Sequence, residues 1–390
     1  RELAARLRQQ SLALLERPEV ADQDTRAERA LVYSHMGRAV YLSDYERART
    51  FLERSLALYR ALGDAWRTAA ALHSLGTAAL FRGAYADARA AMEESQEISR
   101  GLGDQEGIAW SMADLTFVAL HQGRFEEARR LARDARAMTR ALGEREAIGF
   151  GLLAQGASLA YLGEFAEARS VREECLRVFD ELGRRGWIVL AHAAMSSGSL
   201  HLGQYGDARA HGEASLALAR ETGLQLRIGD ALLLLGRIAL AEEAYDEARR
   251  LSQQALAVYQ EIGAAADVGW SHAVLAHAAR GQPAEMRRHL QLALRAAAET
   301  GDVLLDLSLL PAAALLLADR GAVERAVELY ALASRYPFVA ESHWFQDVAG
   351  RDIDAIAASL PPDAVAAAEE RGRARHVEAT AEKLLEELEG

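Results

Sequence analysis

One cysteine and one lysine in 390 residues bound this chain before anything present in it does. The lone Cys175 excludes a disulfide framework and sits at a small apolar position, where a thiol is buried and inert, as suits a reducing cytoplasm. The only lysine, Lys383, has no Gly-rich loop beside it. A phosphate-binding loop of the Gly-x-x-x-x-Gly-Lys type is therefore excluded. No uncharged apolar run reaches the eighteen residues of a membrane span. The stretch Leu304 to Ala318 is broken by Asp306 and Pro311, so no membrane partner and no signal peptide are expected. Aromatics are sparse at 6%, whereas apolar residues make up 51%, ample for a continuous helical core.

Basic charge is also in deficit. A net charge of −12 argues against nucleic acid as a partner, because phosphate contacts need a basic stripe. Almost all basic residues are Arg, many near acidic residues, as with Glu126-Glu127 before Arg130; solvated helix faces with ion pairs account for them. Neither His-Glu-x-x-His, Cys-x-x-Cys nor Gly-x-Ser-x-Gly occurs. The eleven histidines are dispersed; His73, His121, His201 and His277 recur on helices but in different rows, so no metal site is expected. Glu93-Glu94 and Glu173-Glu174 read as charged helix surface rather than as an acid and base pair. No cofactor and no catalytic residue is assigned, and the chain is not expected to be an enzyme.

What is present is a period. Tyr45, Tyr85, Phe125, Phe165, Tyr205 and Tyr245 fall at steps of 40 residues, each three residues before an Ala-Arg pair. Gly83, Gly123, Gly163 and Gly203 precede the aromatic in four copies. About half a unit away, Leu62-Gly63-Asp64, Leu102-Gly103-Asp104, Leu142-Gly143-Glu144, Leu182-Gly183, Thr222-Gly223 and Ile262-Gly263 keep the same step. A Gly after an apolar helical stretch ends a helix in the left-handed region, and a following Asp caps the next. Two helices per unit follow, with apolar residues at helical spacing, as at Leu72, Leu75, Ala79 and Leu80. Small residues recur at Gly76, Gly156 and Gly236 and at Ala88, Ala128, Ala168, Ala208 and Ala248. A helical Gly costs roughly 1 kcal/mol relative to Ala, so its recurrence marks a close helix approach. The fold class is all-α, a solenoid of about eight helical hairpins. Such a stack presents a long continuous face with no single crevice and should be elongated.

The motif of Leu75-Gly76, then Gly83, Tyr85 and Ala88, resembles the tetratricopeptide pattern of Leu-Gly, Gly-x-Tyr and Ala. The usual repeat has 34 residues; this longer form is similar to the sensor arm of bacterial signal-transduction ATPases with numerous domains, including regulators related to the maltose-operon activator. That resemblance implies a right-handed superhelix, a nucleotide-binding module preceding the array, and an effector domain at one end. It also implies that residues 1–25 are part of an incomplete repeat, with an amphipathic helix over Arg1 to Glu16. Residues 26–263 form six regular repeats and 264–335 two degenerate ones, the spacing slipping by two at Gly281 and Gly301. Residues 336–390 close the array, with helices expected near Gln346 to Ser359, Pro361 to Gly372 and His376 to Glu389. A start without Met is expected of a fragment of something longer.

In the resembling fold the first helix of each hairpin lines the concave surface. Counting from the Leu-Gly pair, the inward candidates are Tyr33, His73, Trp110, Asp114, Phe117, Phe150, Asp230, Arg237, Trp270 and His277. Trp110, Phe150, Leu190, Asp230 and Trp270 share one row. Aromatics along a groove anchor a peptide or partner helix; alternatively the long helices bury them between repeats, and both readings stand. Without further lysines, the Lys-and-Asn carboxylate clamp of some tetratricopeptide domains has no match. Two functions remain open. One is a sensor that binds a protein, peptide or small-molecule inducer in the groove; the other is a constitutive protein scaffold without a switch.

Overall fold

The computed structural model describes residues 24–41 and 44–389, together with Gln10 and Ala13. Apart from those two residues, the helix expected over Arg1 to Glu16 lies outside them. The described chain is helical, without a strand. Eight antiparallel hairpins follow one another: α1 (Arg26–Val40) with α2 (Tyr45–Leu62), α3 (Ala65–Arg82) with α4 (Tyr85–Leu102), α5 (Gln105–His121) with α6 (Phe125–Leu142), and α7 (Arg145–Tyr161) with α8 (Phe165–Leu182). Then come α9 (Arg185–His201) with α10 (Tyr205–Thr222), α11 (Gln225–Ala241) with α12 (Tyr245–Ile262), α13 (Ala265–Ala278) with α14 (Pro283–Thr300), and α15 (Val303–Asp319) with α16 (Val323–Ala333).

The two glycine marks end the helices as their chemistry requires. Gly63 sits at φ 67°, its N–H donating to the Arg60 carbonyl while the next N–H reaches Tyr59. Asp64 and Asp104 then cap α3 and α5, accepting from the N–H groups of Arg67 and Gly107 at 2.9 and 3.0 Å. Inside the hairpins, Ala88, Ala128, Ala168, Ala208 and Ala248 are fully buried. A methyl on Gly76 would lie 2.7 Å from Met92 Cγ, so the recurring helical glycine is set by contact with the second helix. Cys175 is buried, with Sγ 3.4 Å from the Gly149 carbonyl, and burial pushes its thiol up to about 12.

In three of the repeats the Arg of the Ala-Arg pair reaches beyond its own helix. Arg89 reaches Glu127 of the next repeat at 2.8 Å, Arg169 reaches Asp207 at 3.4 Å and Arg209 reaches Glu247 at 3.2 Å. These ion pairs stitch successive outer helices together, each contributing at most about 1 kcal/mol at the surface.

The array is not an open stack. It curves until its last repeats rest on the edge of its first ones, and this corrects the expectation of an elongated face without a crevice. The turns at Gly83, Gly123, Gly163 and Gly203 form that edge. A methyl on Gly83 would lie 2.7 Å from the Ala266 methyl, one on Gly123 3.0 Å from Val303, and one on Gly163 2.8 Å from Pro337. Gly203 faces His343 in the same way. In the next copy the position is Glu243, a non-Gly residue at φ 58°. The physical reason is rotation: each repeat turns slightly against its neighbour, and enough repeats complete a circuit.

The segment after α16 follows this edge before it turns back. It comprises α17 (Pro337–Ala340), α18 (His343–Phe345), a π-helical turn at Gln346–Gly350, and α19 (Arg351–Ala357). Trp344 donates to the Arg237 carbonyl at 2.8 Å, Ser342 Oγ lies 2.7 Å from His201 Nδ1, and Tyr205 bonds Asp347. This segment therefore seals the middle repeats from one side. The last two helices, α20 (Pro362–Arg373) and α21 (Val377–Glu389), pack on α16 and on α14 and α15 respectively, covering the final hairpin.

Candidate functional site

Because the first helices lie on the inside of the curve, closure turns the concave face into a central cavity of about 830 Å³. The row Trp110, Phe150, Leu190, Asp230 and Trp270 faces it throughout, as do Phe117 and Arg237 of a second row and His73 and Asp114 of neighbouring ones. Tyr33 and His277 do not line it. Tyr33 is buried against Phe51, ring centroids 6.2 Å apart, because α1 lies at the outer end of the array. His277 is buried beneath Trp344 at 5.8 Å, where the returning segment covers it.

The aromatic wall is continuous. Trp110 and Phe150 centroids are 4.2 Å apart, and Trp187 meets Phe150 edge-on at 4.3 Å. Trp187 is fixed by a 3.1 Å hydrogen bond to Glu146, which also binds Arg184 at 2.9 Å. Phe150 is buried between repeats while still facing the cavity.

Three carboxylates in and beneath the wall are answered by donors. Asp114 accepts from Thr77 Oγ1 at 2.8 Å and lies 3.2 Å from His73 Nε2. Asp230 accepts from Tyr259 at 2.9 Å and from Arg227 at 2.8 Å. Asp302, fully buried, caps α15 and is met at 3.1 Å by Tyr85, His121 and Trp270. Burial, with Asp230 nearby, holds the Asp267 carboxyl well above the usual range.

Two basic groups of the cavity, Arg237 and Arg172, are not answered in this way. Arg237 stacks on Trp344 with its guanidinium 4.5 Å from the ring centroid and lies 3.3 Å from His201 Nε2. Arg172 reaches the cavity from the outer helix α8, a position the inward count passes over. Burial lowers both guanidinium groups to about 10, and burial beside them keeps His201 neutral, well below its ordinary value. Arg172 did leave a signal: the same register holds Met92, Ala132, Gly212 and Ser252 in other repeats, so a charge stands where the core belongs. Among the described residues no group of His, Cys, Asp or Glu converges as a metal would require, and no helix is long and apolar enough to cross a membrane.

A family model for the tetratricopeptide repeat matches residues 25–100 and 67–141. The chain thus carries tetratricopeptide repeats within a tetratricopeptide-like solenoid. Two solved structures share that fold. A Rap protein complexed with Competence and Sporulation Factor is 14% identical, covers 94% of each chain and superposes with a TM-score of 0.57. The apo form of RapI is 11% identical over 69% of this chain and 98% of its own, with a TM-score of 0.52. A signal-transduction ATPase with a tetratricopeptide sensor from Pyrococcus horikoshii, at 12% identity, covers 98% of this chain and 55% of its own, with a TM-score of 0.45. None of the curated proteins matches the chain.

Proposed function

We propose that this chain is a ligand-binding sensor domain that takes a peptide or small-molecule inducer into its central cavity. The observation that carries the reading is the aromatic-walled central cavity of about 830 Å³, a volume within the range of ligand sites. That a Rap protein of this fold is seen complexed with Competence and Sporulation Factor supports a ligand-binding use of the fold. The resemblance of the long repeats to the sensor arm of signal-transduction ATPases supports a place beside a nucleotide-binding switch module, in the cytoplasm of a bacterium. The ligand would then shift the complete protein between resting and assembled states by binding one of them better.

The test is retention of ligand. The protein is equilibrated with a pooled short-peptide and metabolite library, separated by gel filtration, and the retained compounds are identified by mass spectrometry. Selective retention that Trp110→Ala or Phe150→Ala abolishes is expected. Retention indifferent to both substitutions would overturn the cavity as the site.

A further inference from the structure

Within the cavity reading, the charges of the wall are unequal in a way that names the ligand's chemistry. Asp114, Asp230 and Asp302 each have a donor or a cation against them, and Asp267 is the carboxyl that burial holds toward its neutral form. Arg172 and Arg237 have no carboxylate within 4.0 Å among the described residues, and Arg172 Nε and Nη1 have no hydrogen-bond partner. Arg172 is 5% exposed. An unpaired buried guanidinium is costly and persists only where something else answers it.

The surroundings of Arg172 are shaped to carry it. Its side chain runs from α8 between two glycines of flanking first helices. A methyl on Gly156 would stand 2.9 Å from Arg172 Cγ, and one on Gly198 would stand 2.8 Å from Nη1. The register of Gly198 holds Ala78, Val118, Ser158 and Ile238 in other repeats, so this glycine belongs to the arginine and not to the repeat pattern. Tyr161 shares the same wall. We infer that Arg172, with Arg237, forms an anion subsite that takes a carboxylate or phosphate group of a ligand whose apolar body lies on the Trp110–Phe150–Trp187 wall. A guanidinium presents paired N–H donors matched to such oxygens. The missing lysine clamp thus leaves anion recognition intact, supplied from an outer helix.

The probes are 1-naphthaleneacetate, its isosteric neutral amide 1-naphthaleneacetamide, and 1-naphthyl phosphate, titrated by calorimetry against the wild type, Arg172→Met and Gly198→Ala. The wild type should bind one of the anions at least about tenfold tighter than the amide, the preferred anion identifying carboxylate or phosphate. Arg172→Met should remove that preference, lowering anion affinity far more than amide affinity. Gly198→Ala, which displaces the guanidinium but favours the helix, should reduce the preference without lowering the melting temperature. Equal binding of all three probes to all three proteins would overturn the anion subsite and leave the cavity reading standing. Binding of none would overturn the cavity reading as well.

Discussion

Tyr85 and Asp302 lie 217 residues apart in sequence and are joined by a hydrogen bond of 3.1 Å. One begins α4 in the second hairpin; the other caps the first helix of the eighth. Their contact, with His121 and Trp270 on the same carboxylate, is where the solenoid closes and where an open face becomes a cavity.

Closure should therefore depend on Asp302. Tyr85→Phe removes one hydrogen bond and is expected to cost about 1–2 kcal/mol. Asp302→Ala should cost more, since it leaves several buried donors unanswered and uncaps α15. Denaturant melts give the ranking, and small-angle scattering should show a larger radius of gyration for Asp302→Ala. An unchanged radius would mean that the ends are held together elsewhere.

Two glycines in the same left-handed conformation should respond differently to substitution. Gly163 and Gly183 have φ of 77° and 61°, so an alanine at either is strained by roughly 1–2 kcal/mol. Only at Gly163 would the methyl also strike Pro337, whereas nothing lies within 4 Å at Gly183. Gly163→Ala should be clearly the more destabilising in thermal melts. Equal effects would show that the returning segment does not depend on this edge.

The aromatic row should divide by role. Trp110 is half-buried and bonded only loosely, at 3.4 Å, to Glu106, so Trp110→Ala should weaken ligand uptake with a modest loss of stability. Trp270 holds Asp302 at 3.1 Å, and Trp270→Ala should approach the 3–5 kcal/mol typical of a lost buried tryptophan. Binding titrations beside melts on the two variants distinguish these outcomes.

Stability should fall on both sides of an intermediate pH. Burial lowers His272 and His277 to about 4, below an unfolded value of 6.5. The unfolded chain then binds more protons between those values, and stability is lost as pH falls from 6.5 toward 4. Burial, with Asp302, Glu378 and Glu382 nearby, raises Asp306 from 3.8 to about 8. Here the folded chain binds the extra proton, and stability is lost as pH rises through that window. His277→Leu should flatten the acid limb and Asp306→Asn the alkaline limb in melts taken from pH 4 to 9. Parallel curves for all three proteins would refute the assignment.

The hairpins were legible in the sequence because their determinants are local. Gly63 and its equivalents need only a left-handed φ, Asp64 caps a helix three residues away, and Ala88 meets a neighbour in its own hairpin. A residue's register in the repeat also told which helix face looks inward, and so placed His73, Trp110, Asp114, Phe117, Phe150, Asp230, Arg237 and Trp270 on the cavity wall. Closure was not legible, because curvature is a small rotation per repeat whose sum no single unit encodes. Only the tertiary structure set Asp302 against Tyr85, ran Pro337 to His343 along the glycine edge and left Tyr33 and His277 away from the site. Arg172 stands between these cases. Its charge at a core register is visible in the sequence, but its direction depends on the room that Gly156 and Gly198 leave for it.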